Sequence, residues 1–417
     1  WEKEHRPLGP GDVVLFRSGY SDQYYLPLPA GRRFMADPVD EKAPAWPAPL
    51  PEAMDYLGSG GVMTAGTDGP NMAPVRPPLG RETHAAGLKY EMNWAEGLTN
   101  LGSLPPTGAF YAHLPPKHGG GIGAEIRAFA VVGNPLAKWL IAAARGKRVI
   151  DLSVQLAEDL PVWWPGAGTG NSRHPYYQHV LPLLLSPPQH VRAFDSHTGT
   201  HLVPPTYTLP EAGFDNGGYA PQVQQWLAEY EQRYGRRGNS DVTTEKVPLA
   251  QMSGWARVID VKHLIGSTSE SDWPASPLIR PDDVRQYEER SGELEPGSIV
   301  IFHSGYSDIF LKRFPQDGAC MAEPLNGKRE GWPAPGPETI HYLADKGMRC
   351  VATDGPTLGG ADPKSALMTY WALGSRGMVG VEYVTNVGAV PPKAYFLFAS
   401  PRIRGAHGGP GRAIALY

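Results

Sequence analysis

Two histidines stand four residues apart in residues 194–205, which read FDSHTGTHLVPP. His197 and His201 flank a Gly-Thr turn, and from such a turn both imidazole rings can face one metal ion. Neutral imidazole suits zinc, manganese or iron. Paired histidines at this spacing also occur as structural residues, so the pair alone leaves both roles open. The strand-like residues 149–153 (VIDLS) upstream and Pro205 downstream favour the metal site.

The elements around these histidines belong to a repeat with a fixed offset of 286 residues. Residues 11–22 (GDVVLFRSGYSD) match residues 297–308 (GSIVIFHSGYSD) at 8 of 12 positions. The same offset relates three further pairs: Trp46–Pro49 and Trp332–Pro335, Thr67–Pro70 and Thr353–Pro356, and Glu96 and Glu382. A match this long at one offset predicts a duplicated domain.

The two copies are expected to differ in extent. The stretch 150–295 precedes the second copy and has no counterpart before the first. We therefore predict a partial first domain at 1–131, equivalent to the C-terminal portion of the unit. A connector with one short helix follows at 132–148, and a complete second domain spans 149–417.

Each copy predicts the same order of elements. An apolar strand at 13–17 or 299–303 runs into a turn, SGYSD, and a Pro-Glu helix start follows at 51 or 337. Apolar residues at helical spacing in 222–234 predict a core-facing helix. Strands separated by both long loops and helices predict an α/β fold with a mixed sheet. The shared Asp68 and Asp354 of the TDGP motifs are interpreted as turn residues rather than catalytic ones.

In these motifs the chain resembles the cyclase family that includes kynurenine formamidase and isatin hydrolase. The resemblance rests on the VIDLS strand, on 160–166 (LPVWWPG) and on the histidine stretch, which is similar to the family signature HxGTHxDxPxH. It covers 149–417, and 1–131 as the family's C-terminal portion. It implies swivelling β/β/α-type domains, usually in dimers or larger oligomers. It also implies a site with one or two metal ions, commonly zinc or manganese, that hydrolyses amides or lactams.

The second copy departs from the family pattern at three site positions. Val203 stands in place of the signature aspartate, and Tyr207 in place of its last histidine. A His and Glu pair twelve residues apart normally completes the metal shell, and here it reads Tyr370 and Glu382. The metal ligands that remain are His197, His201 and Glu382, so a metal in this copy is doubtful. The phenols of Tyr207 and Tyr370 are candidate catalytic groups, able to donate a hydrogen bond or a proton. Trp163 and Trp164 are expected to line the substrate pocket.

The first copy keeps the same pair as His84, in an expected loop, and Glu96. The resemblance implies that both are metal ligands, and zinc or manganese is expected at this site. Its remaining ligands would lie before Trp1, in a cleaved, disordered or separate segment. The sequence thus predicts a division of function between an intact first site and an altered second site.

Three functions remain open on these residues. The first is a metal-dependent hydrolase of an amide, lactam or related cyclic carbonyl, in which the metal activates water. The second is a metal-independent cyclase or dehydratase that uses tyrosine and histidine for proton transfer. The third is a non-catalytic subunit that binds or assembles.

Composition excludes some partners and leaves others as expectations. A net charge of −4 with both signs mixed gives no reason to expect nucleic acid or a membrane surface. The two cysteines form neither a disulfide framework nor a zinc cluster, which favours a cytoplasmic location. A small-molecule substrate is expected, as is a homo-oligomer, with a separate fragment as a further candidate partner.

Overall fold

A computed structural model of the chain describes residues 1–133, 135–160, 177–183, 189–313, 316 and 318–417. Trp163 and Trp164 lie outside the described residues. The chain divides into two compact units: unit 1 comprises Trp1–His113 and Ala128–Arg148, and unit 2 comprises Leu114–Arg127 and Val149–Tyr417.

The strands of unit 2 are β6 Val149–Asp151, β7 Tyr177–Leu183, β8 Gln189–Phe194, β9 His201–Val203, β10 Ser253–Asp260, β11 Leu278–Ile279, β12 Ile299–His303, β13 Ala334–Pro335, β14 Cys350–Thr353, β15 Val379–Glu382, β16 Tyr395–Ala399, β17 Gly409–Pro410 and β18 Arg412–Leu416. Its helices are α6 Pro221–Tyr234, α7 Pro281–Ser291, α8 Tyr306–Phe310, α9 Ala322–Leu325, α10 Pro337–Asp345 and α11 Pro363–Ser375. Nine of these strands form one mixed sheet in the order β17-β9-β15-β14-β12-β10-β16-β18-β6. This arrangement confirms the predicted α/β fold with a mixed sheet.

The sheet of unit 2 is buried on both faces because its strands alternate their side chains between two apolar clusters. In β12, Val300 and Phe302 join the cluster that also holds the buried side chains of α6, α7, α10 and α11. Ile299 and Ile301 point to the opposite cluster, with Phe396 of β16. The predicted helix at 222–234 is confirmed, because Leu227 and Tyr230 are buried in the first cluster.

Unit 1 contains the strands β1 Val13–Phe16, β2 Thr64–Thr67, β3 Asn93–Ala95, β4 Phe110–Leu114 and β5 Arg127–Val131, of which β4 and β5 each have one residue assigned to unit 2. Its helices are α1 Tyr20–Tyr24, α2 Ala36–Val39, α3 Pro51–Ser59, α4 Leu79–Leu88 and α5 Leu136–Arg145. The strands form two separate sheets, β1-β2-β3 and β4-β5. Helix α5 is the short helix predicted within 132–148, and it buries Ala137, Leu140 and Ala143 inside unit 1.

The two units repeat the same backbone geometry at the offset of 286. Val14 pairs with Ala65 in parallel β1 and β2, as Val300 pairs with Val351 in β12 and β14. Ala65 pairs with Trp94 in β2 and β3, as Val351 pairs with Gly380 in β14 and β15. The equivalence therefore extends from residue types to strand register.

The SGYSD segment is only partly the turn that the sequence predicts. Gly19 and Gly305 take φ of 78° and 75°, a left-handed conformation that glycine adopts without steric cost. The following residues start the short helices α1 and α8. The reason is visible at Asp68 and Asp354. Each aspartate accepts hydrogen bonds from the backbone N–H groups of the serine and glycine that begin the SGYSD segment of the same unit. Those bonds confirm a structural role for both aspartates.

The division into units differs in two places from boundaries drawn on the repeat alone. Residues 114–127 are assigned to unit 2, and 132–148 are assigned to unit 1 together with α5. No helix in the described part of the chain is long and apolar enough to cross a membrane.

Candidate functional site

The candidate site of unit 2 is built on two neighbouring strands, β9 and β15. These strands are antiparallel, and His201 lies directly opposite Glu382 in their register. The Nε2 atom of His201 is 3.1 Å from Oε2 of Glu382, and the two residues are only 2% and 1% exposed. Two residues distant in sequence therefore meet as a cross-strand pair.

The turn before β9 fixes where His201 emerges. Gly199 takes φ of 66°, and a Cβ atom there would clash with Cδ2 of Leu156. The hydroxyl of Thr200 donates to the carbonyl of Tyr383 at 2.7 Å and accepts from the backbone N–H of Val154 at 2.9 Å. The Gly-Thr pair of the motif thus joins the VIDLS strand to the segment that carries Glu382.

Hydrogen-bond geometry places one proton between His201 and Glu382. Nδ1 of His201 is 2.8 Å from the carbonyl oxygen of Gly199, and a carbonyl oxygen can only accept. That nitrogen therefore carries a hydrogen, and Nε2 faces a carboxylate oxygen. The contact at 3.1 Å needs a second proton, held either as imidazolium with carboxylate or as imidazole with carboxylic acid.

The other oxygen of Glu382 is already bonded twice. The Tyr370 hydroxyl donates to Oε1 at 2.5 Å, and the backbone N–H of Leu358 donates to it at 2.7 Å. These two bonds hold Oε1 in place and leave Oε2 for His201. Burial, and then the neighbouring carboxylate of Glu382, raise the pKa of Tyr370 well above its usual value. Tyr370 remains a phenol that positions Glu382.

His197 lies beside His201 and faces other partners. The two rings have centroids 5.3 Å apart and are nearly perpendicular. Nδ1 of His197 is 3.2 Å from Oδ1 of Asp195, and Nε2 is 3.2 Å from the carbonyl oxygen of His407. The hydrogen bond with His197 is the main reason that the pKa of Asp195 is lowered.

A small pocket opens beside these residues. Its volume is about 210 Å³, and it is lined by Asp195, His197, Gly199, His201, Tyr207, Met321, Pro356, Thr357, Glu382 and Tyr383. Tyr207 packs its ring 4.8 Å from that of His197 and edge-on to Tyr370. Burial, followed by the charges of Glu382 and Asp195, raises the pKa of Tyr207. Its hydroxyl is therefore a hydrogen-bond donor at neutral pH.

The residues of unit 2 do not fit a tightly held metal ion. His201 and Glu382 are close enough to share a cation, but His197 turns both ring nitrogens to other acceptors. Val203, at the family's aspartate position, is buried in the apolar core. The described residues contain no group of three His, Cys, Asp or Glu side chains that could hold a metal.

Unit 1 presents the equivalent pair on helix α4 and directly after strand β3. His84 lies on α4, not in the expected loop, because Leu79–Leu88 form a helix of 10 residues that buries Thr83 and Gly87. Its Nε2 is 3.8 Å from Oε1 of Glu96, and the two side chains are 31% and 32% exposed. The N–H of Met72 donates to that same oxygen at 2.8 Å, as Leu358 does to Glu382.

The sequence analysis did not single out several of the pocket residues. Asp195 lies within the quoted histidine stretch, and its position two residues before His197 was the available signal. Met321, Thr357 and Tyr383 come from separate segments and have no local pattern that would connect them. The predicted residues His201, His197, Tyr207 and Glu382 do line one pocket, and Tyr370 stands behind Glu382.

Similarity to known proteins bears on the family of the chain. Residues 150–359 match the model of a family described as putative cyclase, which is half of the chain. An isatin hydrolase from Roseibium aggregatum is 32% identical over 175 residues, covering 39% of this chain and 64% of that protein. A kynurenine formamidase from Salinibacter ruber is 32% identical over 174 residues, covering 41% and 66% respectively. The matched stretches thus span just under two thirds of these relatives.

A solved structure shows the fold as well. Isatin hydrolase A from Ralstonia solanacearum superposes with a TM-score of 0.50 at 19% identity, covering 68% of this chain and 98% of that one. At this identity the likeness concerns the fold. The sequence match over half of the chain decides the family, and this chain belongs to the cyclase family.

Proposed function

We propose that this chain is a hydrolase of a small amide, lactam or related cyclic carbonyl, with its reaction site in the pocket of unit 2. The observation that carries the proposal is the buried contact between His201 and Glu382, which opens onto a pocket that also holds Tyr207. A volume of about 210 Å³ lies below the roughly 300–1,000 Å³ of common ligand pockets, which favours a small substrate.

Each group has a task that its surroundings support. The Tyr207 hydroxyl stays protonated and donates to the substrate carbonyl, where negative charge develops as water adds. Glu382 accepts the proton released by the attacking water, and the proton on His201 Nε2 passes to the leaving nitrogen. The C–N bond breaks as a C–O bond forms, and the proton left on Glu382 returns to His201. Tyr370 holds Glu382 in place through its hydrogen bond.

Hydrolysis can be tested with isatin and a simple formanilide as probes, in buffer containing a chelator. We expect Tyr207→Phe to lower kcat/KM by about 10²-fold, the effect of removing one donor to a developing oxyanion. Tyr25→Phe is the matched control, because Tyr25 is exposed on unit 1, and it should leave the rate unchanged. Equal rates for Tyr207→Phe and the parent protein would contradict the proposal. A folded protein without turnover on either probe would favour the non-catalytic reading.

A divalent metal, zinc or manganese, remains a separate proposal for unit 1. His84 and Glu96 lie together there, and side chains that are 31% and 32% exposed are accessible to an ion. They supply two ligands of the three that a catalytic zinc commonly has, so we derive no reaction step through a metal.

Metal binding is measurable without activity. We expect zinc or manganese to raise the melting temperature of the protein and to remain after desalting, as detected by elemental analysis. His84→Gln should remove both effects, whereas His263→Gln, at an exposed histidine of unit 2, should not. Equal metal content in the parent protein and His84→Gln would contradict a site at this pair.

A further inference from the structure

Tyr383 follows directly after Glu382 and has an uncommon backbone conformation. Its φ is 58°, in the left-handed region that bulky side chains rarely adopt. At the offset of 286 the equivalent residue is Gly97, whose φ of 66° carries no steric cost for a glycine. The backbone contact is equivalent as well, because the N–H of Tyr383 donates to the carbonyl of Gly355 and that of Gly97 donates to the carbonyl of Gly69. The repeat therefore has a left-handed residue at this position, and unit 2 places a tyrosine there.

A strained residue beside a reaction site indicates that its side chain has a function there. Tyr383 lines the pocket of unit 2 and is only 3% exposed. Its carbonyl oxygen accepts from the hydroxyl of Thr200 at 2.7 Å, and its N–H donates to Gly355. The backbone is thus held on both sides of the Cα atom, which fixes the direction in which the ring leaves it.

The side chain of Tyr383 reaches a buried thiol. Its hydroxyl oxygen is 3.1 Å from Sγ of Cys320. Cys320 has no exposed surface and is not one of the described residues that line the pocket, whereas the next residue, Met321, does line it. Tyr383 and Met321 therefore separate the pocket from Cys320.

Positions 383 and 320 differ together between the two units. The residue equivalent to Cys320 is Phe34, so unit 1 combines phenylalanine with glycine and unit 2 combines cysteine with tyrosine. Each pair has one aromatic ring and one small residue. A cysteine at 320 leaves room for the phenol of Tyr383, since packed interiors hold little free volume. In unit 2 the ring is thus carried by the segment of Glu382, at the pocket.

We propose that Tyr383 is a specificity-determining residue whose ring forms the closed end of the unit 2 pocket. The ring limits the size of the amide or lactam that can reach Glu382, and in this role it touches no reacting atom. The limit on substrate size rests on the proposed function. The position of the ring between the pocket and Cys320 does not.

The test compares the parent protein with Tyr383→Gly, which removes the ring and introduces the residue type of unit 1. Iodoacetamide should label Cys320 at least about tenfold faster in this variant, because a thiol reacts only where the reagent can reach it. Cys350 is also buried, in a different apolar cluster, and should keep its parent labelling rate if unit 2 stays folded. Mass analysis of the labelled peptides separates the two cysteines.

Substrate size is tested with formanilide and its larger 4-phenyl derivative. In Tyr383→Gly the ratio of kcat/KM for the larger to that for the smaller compound should rise about tenfold, the low end of what added bulk costs in a filled pocket. Tyr383→Phe keeps the ring and is the matched control. It should leave both this ratio and the labelling rate of Cys320 at their parent values.

Unchanged labelling of Cys320 in Tyr383→Gly would overturn the proposal, with or without turnover. Faster labelling with an unchanged ratio of kcat/KM would overturn it as well. If the parent protein hydrolyses neither compound, the proposed function fails, and the labelling of Cys320 still decides where the pocket ends.

A double variant covers the case in which Tyr383→Gly loosens unit 2, seen as faster labelling of Cys350. Tyr383→Gly combined with Cys320→Phe gives the phenylalanine and glycine of unit 1 and refills the space. We expect Cys350 to regain its parent labelling rate and the ratio of kcat/KM to return to its parent value. Continued fast labelling of Cys350 in the double variant would overturn the proposal.

Discussion

Units 1 and 2 hold the same glutamate in two different environments. In unit 1, Glu96 is about one-third exposed and faces the imidazole of His84 at 3.8 Å. In unit 2, Glu382 is buried, accepts from Tyr370 and Leu358 on one oxygen, and meets His201 with the other. The backbone donor is equivalent in both, and the side-chain partners differ. The same position of the repeat thus holds a carboxylate beside an imidazole in both units. The pair is partly exposed in unit 1 (the open pair, His84 and Glu96) and buried in unit 2 (the sealed pair, His201 and Glu382).

The largest expected effect comes from removing the imidazole of the sealed pair. His201→Leu leaves the carboxylate of Glu382 buried without its partner, which costs about 3–5 kcal/mol. His84→Leu, at the open pair, should cost under about 1 kcal/mol. Urea unfolding of both variants, followed by probes in each unit, checks this. Equal losses would mean that the two glutamates are not differently placed.

The aspartates of the two TDGP motifs should behave alike, in contrast to the glutamates. Asp68 and Asp354 each accept from a serine N–H, a serine hydroxyl and a glycine N–H. We expect Asp68→Asn and Asp354→Asn each to destabilise their own unit by about 2 kcal/mol, because one hydrogen bond to a charged group contributes about that much to stability. Unfolding midpoints measure the loss. A large cost at only one of them would break the structural equivalence of the two motifs.

Replacing Tyr370 by histidine should give the site of unit 2 a side chain that binds zinc. Tyr370→His places an imidazole where unit 1 has His84, close to His201 and Glu382. We expect zinc to bind this variant at least about tenfold more tightly than the parent unit 2, about 1.4 kcal/mol. Calorimetric titration in a His84→Gln background isolates unit 2. Unchanged affinity would show that the side chains of unit 2 cannot converge on an ion.

The smallest effect is the pH dependence of the open pair. The hydrogen bond to Glu96 raises the pKa of His84 above its ordinary value near 6.5. A raised pKa in the folded state adds stability that is complete below the unfolded value and is lost as pH rises through the folded one. The parent protein should exceed His84→Gln in stability below about pH 6, by under about 1 kcal/mol, and the difference should vanish by about pH 9.

The pH dependence can be checked by urea unfolding at both ends of that range, together with NMR titration of the His84 ring. A difference that increases with pH would contradict the assignment of Glu96 as the dominant neighbour. The exposed His263→Gln serves as the control, since it should leave the profile near that of the parent protein.

Much of the fold could be predicted because its signals are local. The strand Ile299–His303 and the helices starting at Pro281 and Pro337 have the expected bounds or starts. The fixed offset and the resemblance to the family together point to the glutamate and the phenol of the site. The helix that carries His84 is not predicted by the sequence analysis, because the burial of its Thr83 and Gly87 depends on residues distant in the chain. The structural role of Asp68 and Asp354 was correctly anticipated from their turn motif.

The contacts that define the site could not be predicted. His197 and His201 share a motif whose spacing allows both to face one ion, yet His197 bonds to Asp195 and to the backbone of His407. The orientation of the His197 ring depends in part on an acceptor that a distant segment of the chain supplies.

By itself the sequence determined that the chain repeats one set of strands, turns and helices at an offset of 286. Apolar alternation, a glycine at each left-handed turn and a proline at each helix start act over a few residues. Only the tertiary structure decided that Glu382 is buried and that Glu96 is partly exposed. Glu382 meets His201 through the pairing of β9 with β15. Glu96 meets His84, which lies on helix α4 and is partly exposed. Burial and pairing of a charge are set by elements distant in the chain, because the free energy of a buried ion depends on everything that surrounds it.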